Sequence, residues 1–147
     1  MTPSSDRSVF SKVMLATGLF LYAAIMTMPT SADAGTVTVA GQRIVCSGVR
    51  FRFDRELNNF GMYWPGLIKL NPKRLRSLPP TVQRFVVLHE CGHRRHDDES
   101  GADCWAVQRG KSQGWLTAGG IAQICAVFKR HPKNVWRCPK LKSCYAG

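Results

Sequence analysis

All six cysteines of this chain, Cys46, Cys91, Cys104, Cys125, Cys138 and Cys144, lie downstream of a basic and then apolar leader. No other feature constrains the fold as much. An even number of Cys in a short exported chain reads as a disulfide framework, in which covalent staples compensate for a small core. Residues 1–34 supply the expected export signal. Arg7 and Lys12 make a basic start, Val13 to Met28 is an apolar run, and Pro29-Thr30-Ser31 breaks it ahead of Ala32-Asp33-Ala34. The small residues Ala32 and Ala34 suit a signal peptidase, so cleavage is expected after Ala34. Thr17, Gly18 and Tyr22 interrupt the apolar run, which falls short of the roughly 20 residues that span a bilayer. The expected mature chain, residues 35–147, is therefore periplasmic or secreted and does not span the membrane. A zinc knuckle from Cys125, Cys138 and Cys144 lacks the paired short-gap spacing of structural zinc sites.

With 44% hydrophobic residues the chain is too apolar for a disordered tail, and residues 35–147 are enough for one domain with one core. That size excludes a multidomain enzyme, a Rossmann-type nucleotide binder and a polytopic membrane protein. Lys and Arg number 21 against 9 Asp and Glu, a net charge of +12. Loss of Arg7, Lys12, Asp6 and Asp33 with the leader leaves that charge unchanged. Its functional reading is attraction to acidic envelope components such as lipid phosphates, or to an acidic protein, with Arg50, Arg52, Lys73, Arg74 and Arg76 as the patch. No nucleic-acid motif is present, and export argues against nucleic acid as a partner.

Residues 36–71 read as a small antiparallel sheet. Thr36 to Ala40 alternates β-branched residues, and Gly41-Gln42 marks a turn. Arg43 to Asp54 follows as one strand, alternating Val49, Phe51 and Phe53 with Arg50, Arg52 and Asp54. Gly66 to Asn71 is a short third strand stopped by Pro72. After Pro79-Pro80 the period becomes helical: Val82, Phe85, Val86, His89, His93 and His96 share a face, which predicts a helix over 81–96. Asp97-Asp98 turns the chain and caps a second helix over 99–109; a third spans 117–129, and the tail beyond His131-Pro132 is expected to be irregular. Trp64, Trp105, Trp115 and Trp136 read as core or disulfide-packing residues. The expected architecture is α+β, a small antiparallel sheet packed on one helix with two further helices, stapled by disulfides.

The first of those helices carries His89-Glu90-Cys91-Gly92-His93, an H-E-x-x-H pattern. Two His four residues apart on a helix point the same way, so both imidazoles can reach one zinc ion. Glu90 stands about 100° round from His89, beside the metal rather than on it, where a carboxylate can take the proton of a water. Catalytic zinc takes three protein ligands and one water. His96 shares the helix, but seven residues are about 10.5 Å of rise, too far for one ion. Glu99 and Asp103, four apart on the second helix, face the same way. Glu99 is the expected third ligand, with Asp103 holding a His ring from behind or, failing that, ligating in its place. Cys91 lies about 180° round from the two His and is expected in a disulfide, with Cys104 the first choice of mate. Gly92 reads as a point of close backbone packing.

His89-Glu90-x-x-His93 followed by Glu99-x-x-x-Asp103 resembles the gluzincin zinc metallopeptidases, especially small exported relatives of the prenyl-protein proteases. Ala102-Asp103-Cys104-Trp105-Ala106 is similar to the matching stretch of such proteins, and His131-Pro132 with Arg137 is similar to their downstream H-P-x-x-x-x-R feature. The likeness covers roughly residues 60–137. It implies a mini-zincin-like fold, Glu99 as the third zinc ligand and Asp103 as the support of a His. The excursion from His93 to Glu99 is shorter than in gluzincins. It equals that of metzincins, which place Gly where this chain has His96.

These residues predict a zinc-dependent metallopeptidase acting on a peptide or protein substrate in the cell envelope or outside the cell. Glu90 is the expected base, Tyr63 and His131 are candidates for oxyanion support, and the strand over 66–71 is the expected dock for an extended peptide. Two other classes could use the same residues: a non-catalytic exported binding module stabilised by zinc and disulfides, and a cell-wall amide hydrolase. Glu90 discriminates, because a purely structural zinc site needs no base.

Overall fold

Strands Thr36–Val39 (β1) and Gln42–Val45 (β2) pair antiparallel across a tight turn at Ala40 and Gly41. The computed structural model describes residues 35–147, and the expected signal peptide over 1–34 lies outside them. Arg50–Phe53 (β3), Gly61–Trp64 (β4) and Leu67–Leu70 (β5) form a second sheet in the order β3-β5-β4. β4 pairs antiparallel with β5, whereas β3 runs parallel to it. The single antiparallel sheet expected over 36–71 is thus two sheets, one of them mixed.

The stretch 43–54, read as one strand, divides at Ser47 and Gly48, where Gly48 takes a positive φ of 77° and Cys46 turns inward to a disulfide. Its halves join different sheets. Ile68 and Leu70 point into the core at 0% exposure, while Arg50, Arg52 and Trp64 face outward. Phe53, expected inside, is 58% exposed because β3 is an edge strand, while its register partner Leu70 on the central strand is buried. β5 is the central strand with both edges paired, so it cannot dock a peptide; the edge strands are β3 and β4, and β4 is the one packed on α2 beside Glu90.

Five helices follow. Asn71 caps Pro72–Arg76 (α1) with its side-chain oxygen, and its amide nitrogen donates to the carbonyls of Arg55 and Leu57, tying down the loop ahead of β4. Pro80–Gly92 (α2) starts on a proline, whose missing N–H is no loss in a first turn. Asp98 caps Glu99–Ser112 (α3), as its position before the helix predicts, and Thr117 caps Ala118–Lys129 (α4). A 3-10 turn, Pro132–Asn134, leads into Arg137–Ala146 (α5). The tail, expected to be irregular, is therefore helical. Leu141, at 0% exposure, anchors it, and Pro139 sits in its first turn, where no backbone donor is needed.

α2 is the centre of the fold, burying Val82, Phe85, Val87 and Leu88 against the strands, α3 and α4. It ends at Gly92 rather than at His96, because α3 crosses there: a Cβ at Gly92 would lie 2.9 Å from the Ala102 carbonyl oxygen. The N–H groups of Arg95 and His96 both turn back to the Gly92 carbonyl, and the early stop frees residues 93–98 for the reversal. Three disulfides close the molecule: Cys46–Cys91, Cys104–Cys144 and Cys125–Cys138. Cys91 does not pair with Cys104. Asp103 points at α2, so Cys104, about 100° further round α3, faces α5 instead. Among the described residues no helix is long and apolar enough to cross a membrane. The three disulfides are consistent with an exported protein.

Candidate metal centre

Helical spacing on α2 brings the two histidines together. Their Nε2 atoms lie 3.1 Å apart, and the Glu99 carboxylate at the start of α3 comes within 3.3 Å of His89 Nε2 and 3.7 Å of His93 Nε2. His93 belongs to the residue that closes α2, yet its N–H still bonds the His89 carbonyl, so the i, i+4 relation survives the helix end. His89, His93 and Glu99 form a group in which one ligand atom from each lies within 4.8 Å of the others. Donors about 2.0–2.1 Å from a tetrahedral ion stand roughly 3.3 Å from one another, so the spacing suits such an ion.

The far side of each ring fixes its tautomer. His89 Nδ1 donates to Asp103 Oδ1 at 2.8 Å, and His93 Nδ1 donates to the His96 carbonyl at 3.0 Å. When each ring is neutral, its proton held at Nδ1 leaves both Nε2 lone pairs directed to the same point, the state a metal requires. Asp103, 1% exposed, holds the His89 ring from behind and lies outside the group that could hold an ion. His96 contributes its carbonyl, not its ring.

Arg137 is the residue that the sequence reading left outside the site. It is buried, its Nε and Nη2 grip Asp103 Oδ2 and Oδ1, and its Nη1 lies 3.0 Å from Glu99 Oε2. The guanidinium rests 4.4 Å from the centroid of the Phe128 ring. One cation therefore joins the ligand Glu99 to the supporting Asp103. Its only sequence signal is the spacing from His131-Pro132, and the neighbouring Cys125–Cys138 disulfide is what pins it in place.

The fields of these groups show in their protonation. Burial, the strongest single influence, pulls the His89 imidazole down, but hydrogen bonds to Asp103 and Glu99 together carry it up to about 9 in the metal-free protein. Glu99 is lowered to about 2, first by its hydrogen bond to His89 and then by the charges of His89, Arg137 and His93, against an opposing burial effect. Glu90 moves the other way. Burial raises its pKa, outweighing the charges of His89 and His93 and the hydrogen bond from the Tyr63 backbone N–H. β4 presses against this carboxylate at Gly61, where a Cβ would come within 2.8 Å of Glu90 Cγ.

His89, Glu90, His93 and Glu99 open into a cavity of about 780 Å³. Tyr63 and His131 both line it; the Tyr63 ring stacks 6.5 Å from His93, and His131 stands edge-on to Phe60. Cys91 lies away from the ligands, in its disulfide. Trp105 and Trp115 pack against the core, but Trp64 and Trp136 are more than half exposed, contrary to expectation. The fold and site define a disulfide-stapled α+β domain with a two-histidine, one-glutamate group able to hold a metal ion. No protein family, curated protein or solved structure matches the chain.

Proposed function

We propose that this protein is an exported, mini-zincin-like zinc metallopeptidase that hydrolyses peptide bonds in the cell envelope or outside the cell. The observation that carries this reading is Glu90. It is buried next to the ligand group without belonging to it, it opens into the same cavity, and its pKa is raised by burial. A site that only stabilises the fold has no use for a carboxylate so placed. Two imidazoles and one carboxylate are the donor set of many catalytic zinc sites, which favours zinc over harder, all-oxygen metals.

Zinc held by His89, His93 and Glu99 would polarise the scissile carbonyl and bring the pKa of a water toward neutrality. Glu90, as the carboxylate, takes the proton of the attacking water and passes it to the leaving amine, a task suited to a group that burial makes a stronger base. Asp103 keeps His89 in the Nδ1–H tautomer, and Arg137 holds Asp103 and Glu99 in register. Tyr63 and His131 are within the cavity to support the oxyanion. An extended substrate pairs with the edge strand β4, taking the role first expected of β5.

The test is cleavage of a peptide library by zinc-loaded, disulfide-intact residues 35–147, beside a Glu90→Gln variant of equal zinc content. Cleavage by the first and not the second is expected. Zinc binding with no cleavage by either protein would replace this reading with the binding module. Activity on cell-wall amides alone would replace it with the wall hydrolase.

A further inference from the structure

Every Asp and Glu of the chain lies at or before Asp103. The rest of α3, α4, the 3-10 turn and α5 carry Lys and Arg and no acidic residue of their own, and among these cations Arg137 reaches back to Asp103 and Glu99. Within this acid-free half stand two exposed apolar residues, Val135 at 45% and Trp136 at 56% exposure, where the 3-10 turn meets α5. Lys129 and Arg130 at the end of α4, Lys133 in the turn and Lys140 on α5 are all exposed. Trp136 caps α5 with helical dihedrals, so Lys140, four residues on, shares its side.

This surface differs from the basic patch expected on the strands. Of that expected patch, Arg52 lies near the Asp54 carboxylate, which Lys69 Nζ also meets at 3.4 Å, so its charge is partly offset. Around Trp136 the buried Arg137 is paired with Asp103 and Glu99, whereas the exposed Lys129, Arg130, Lys133 and Lys140 make no ion pair among the described residues. An indole has an apolar body and one polar N–H and prefers the headgroup level of a bilayer, while Lys and Arg are drawn to an anionic leaflet. A soluble acidic polymer would engage the cations alone and leave Val135 and Trp136 without a role.

We propose that the lip formed by residues 129–140 docks on the surface of an anionic phospholipid bilayer. Val135 and Trp136 enter the headgroup region, and Lys129, Arg130, Lys133 and Lys140 meet lipid phosphates. Lys133 and Trp136 also line the cavity that holds the candidate metal centre. Docking therefore brings the mouth of that cavity to the membrane, and bilayer-proximal segments become its most accessible substrates. The docking itself does not depend on peptidase activity.

Residues 35–147 contain the whole core, all three disulfides and the site, and they are tested without the apolar leader. Their partition onto phosphatidylcholine vesicles is compared with that onto phosphatidylcholine–phosphatidylglycerol vesicles by sedimentation, at low and high salt. Binding to the anionic vesicles alone, weakened by salt, is expected. Trp136→Ala should lose on the order of tenfold in partition, since binding scales with buried apolar area. Lys129→Glu and Lys140→Glu should each lose about fivefold or more. Metal content, measured on every variant, reports whether the fold is intact. Equal binding to neutral vesicles overturns the proposal. So does full retention of binding by a metal-competent Trp136→Ala protein, or equally tight capture by soluble polyglutamate, which would mark a simple polyanion surface.

Discussion

His89 Nε2 faces His93 Nε2 across 3.1 Å, and both rings have their Nδ1 atoms engaged elsewhere. Two lone pairs so placed repel each other unless a proton or a metal ion lies between them. The domain is expected to take up one zinc ion per chain, measured by competition with a chromophoric chelator. His93→Ala should weaken binding by more than the roughly 10–100-fold typical of losing an outer partner, because it removes a ligand outright. Unchanged affinity would remove His93 from the site.

Metal uptake should release protons. In the metal-free protein His89 holds its proton up to about 9, whereas a ligating imidazole must be neutral. Near pH 7, zinc therefore displaces the His89 proton, and apparent affinity rises about tenfold per pH unit in that range. Titration calorimetry in buffers of different ionisation enthalpy should count about one proton from this residue. No buffer dependence would contradict the assignment.

Without metal, the same groups set the pH dependence of stability. A folded pKa raised from 6.5 to about 9 means that the contribution of His89 is complete below 6.5 and lost as pH rises through 9. Glu90, raised by burial, acts in the same sense. Glu99 has the opposite sign: its contribution is present above 4.5 and lost as pH falls toward 2. Urea unfolding in the presence of EDTA should show a lower midpoint at about pH 9.5 than at about pH 6. A midpoint that climbs across that interval would refute the sign.

Arg137 and Asp103 should behave as a buried, mutually dependent pair. Truncating one partner strands the other charge at 8% or 1% exposure, so Arg137→Leu or Asp103→Asn should each cost about 3–5 kcal/mol. The double variant should cost clearly less than the sum. Additive losses in chemical denaturation would mean that the pair does not act as a unit. Arg137→Leu should also weaken zinc binding, because Glu99 loses its anchor.

Gly92→Ala would drive a methyl to within 2.9 Å of the Ala102 carbonyl oxygen and 3.0 Å of its Cα, where only backbone can yield. A loss of about 1–3 kcal/mol is expected, together with weaker metal binding, since the same crossing sets Glu99 against the two His. A thermal midpoint equal to that of wild type would show that the helices separate freely there.

Much of the site was legible because its logic is local. His89, Glu90 and His93 lie within one helical turn, and Glu99 and Asp103 within another, so the period of the helix alone aligns each set. The cap at Asp98 and the proline that opens α2 were readable for the same reason: such a residue and its helix are neighbours in the chain. Arg137 showed only through its spacing from His131-Pro132, because its partners lie 34 and 38 positions away. The parallel pairing of β3 with β5 was hidden likewise, since alternation reports which face a strand buries and not which strand lies beside it.

The sequence by itself determined the elements that depend on periods and neighbours: the α2 face with its two His, the start of α3 and the close contact at Gly92. The tertiary structure decided how those elements meet. It paired Cys91 with Cys46, put β5 at the centre of the mixed sheet with β3 and β4 at its edges, and folded the tail into a helix that delivers Arg137 to Glu99 and Asp103. Contacts between distant segments arise from packing three-dimensional surfaces against one another, and no periodicity along a single chain encodes which surfaces those are.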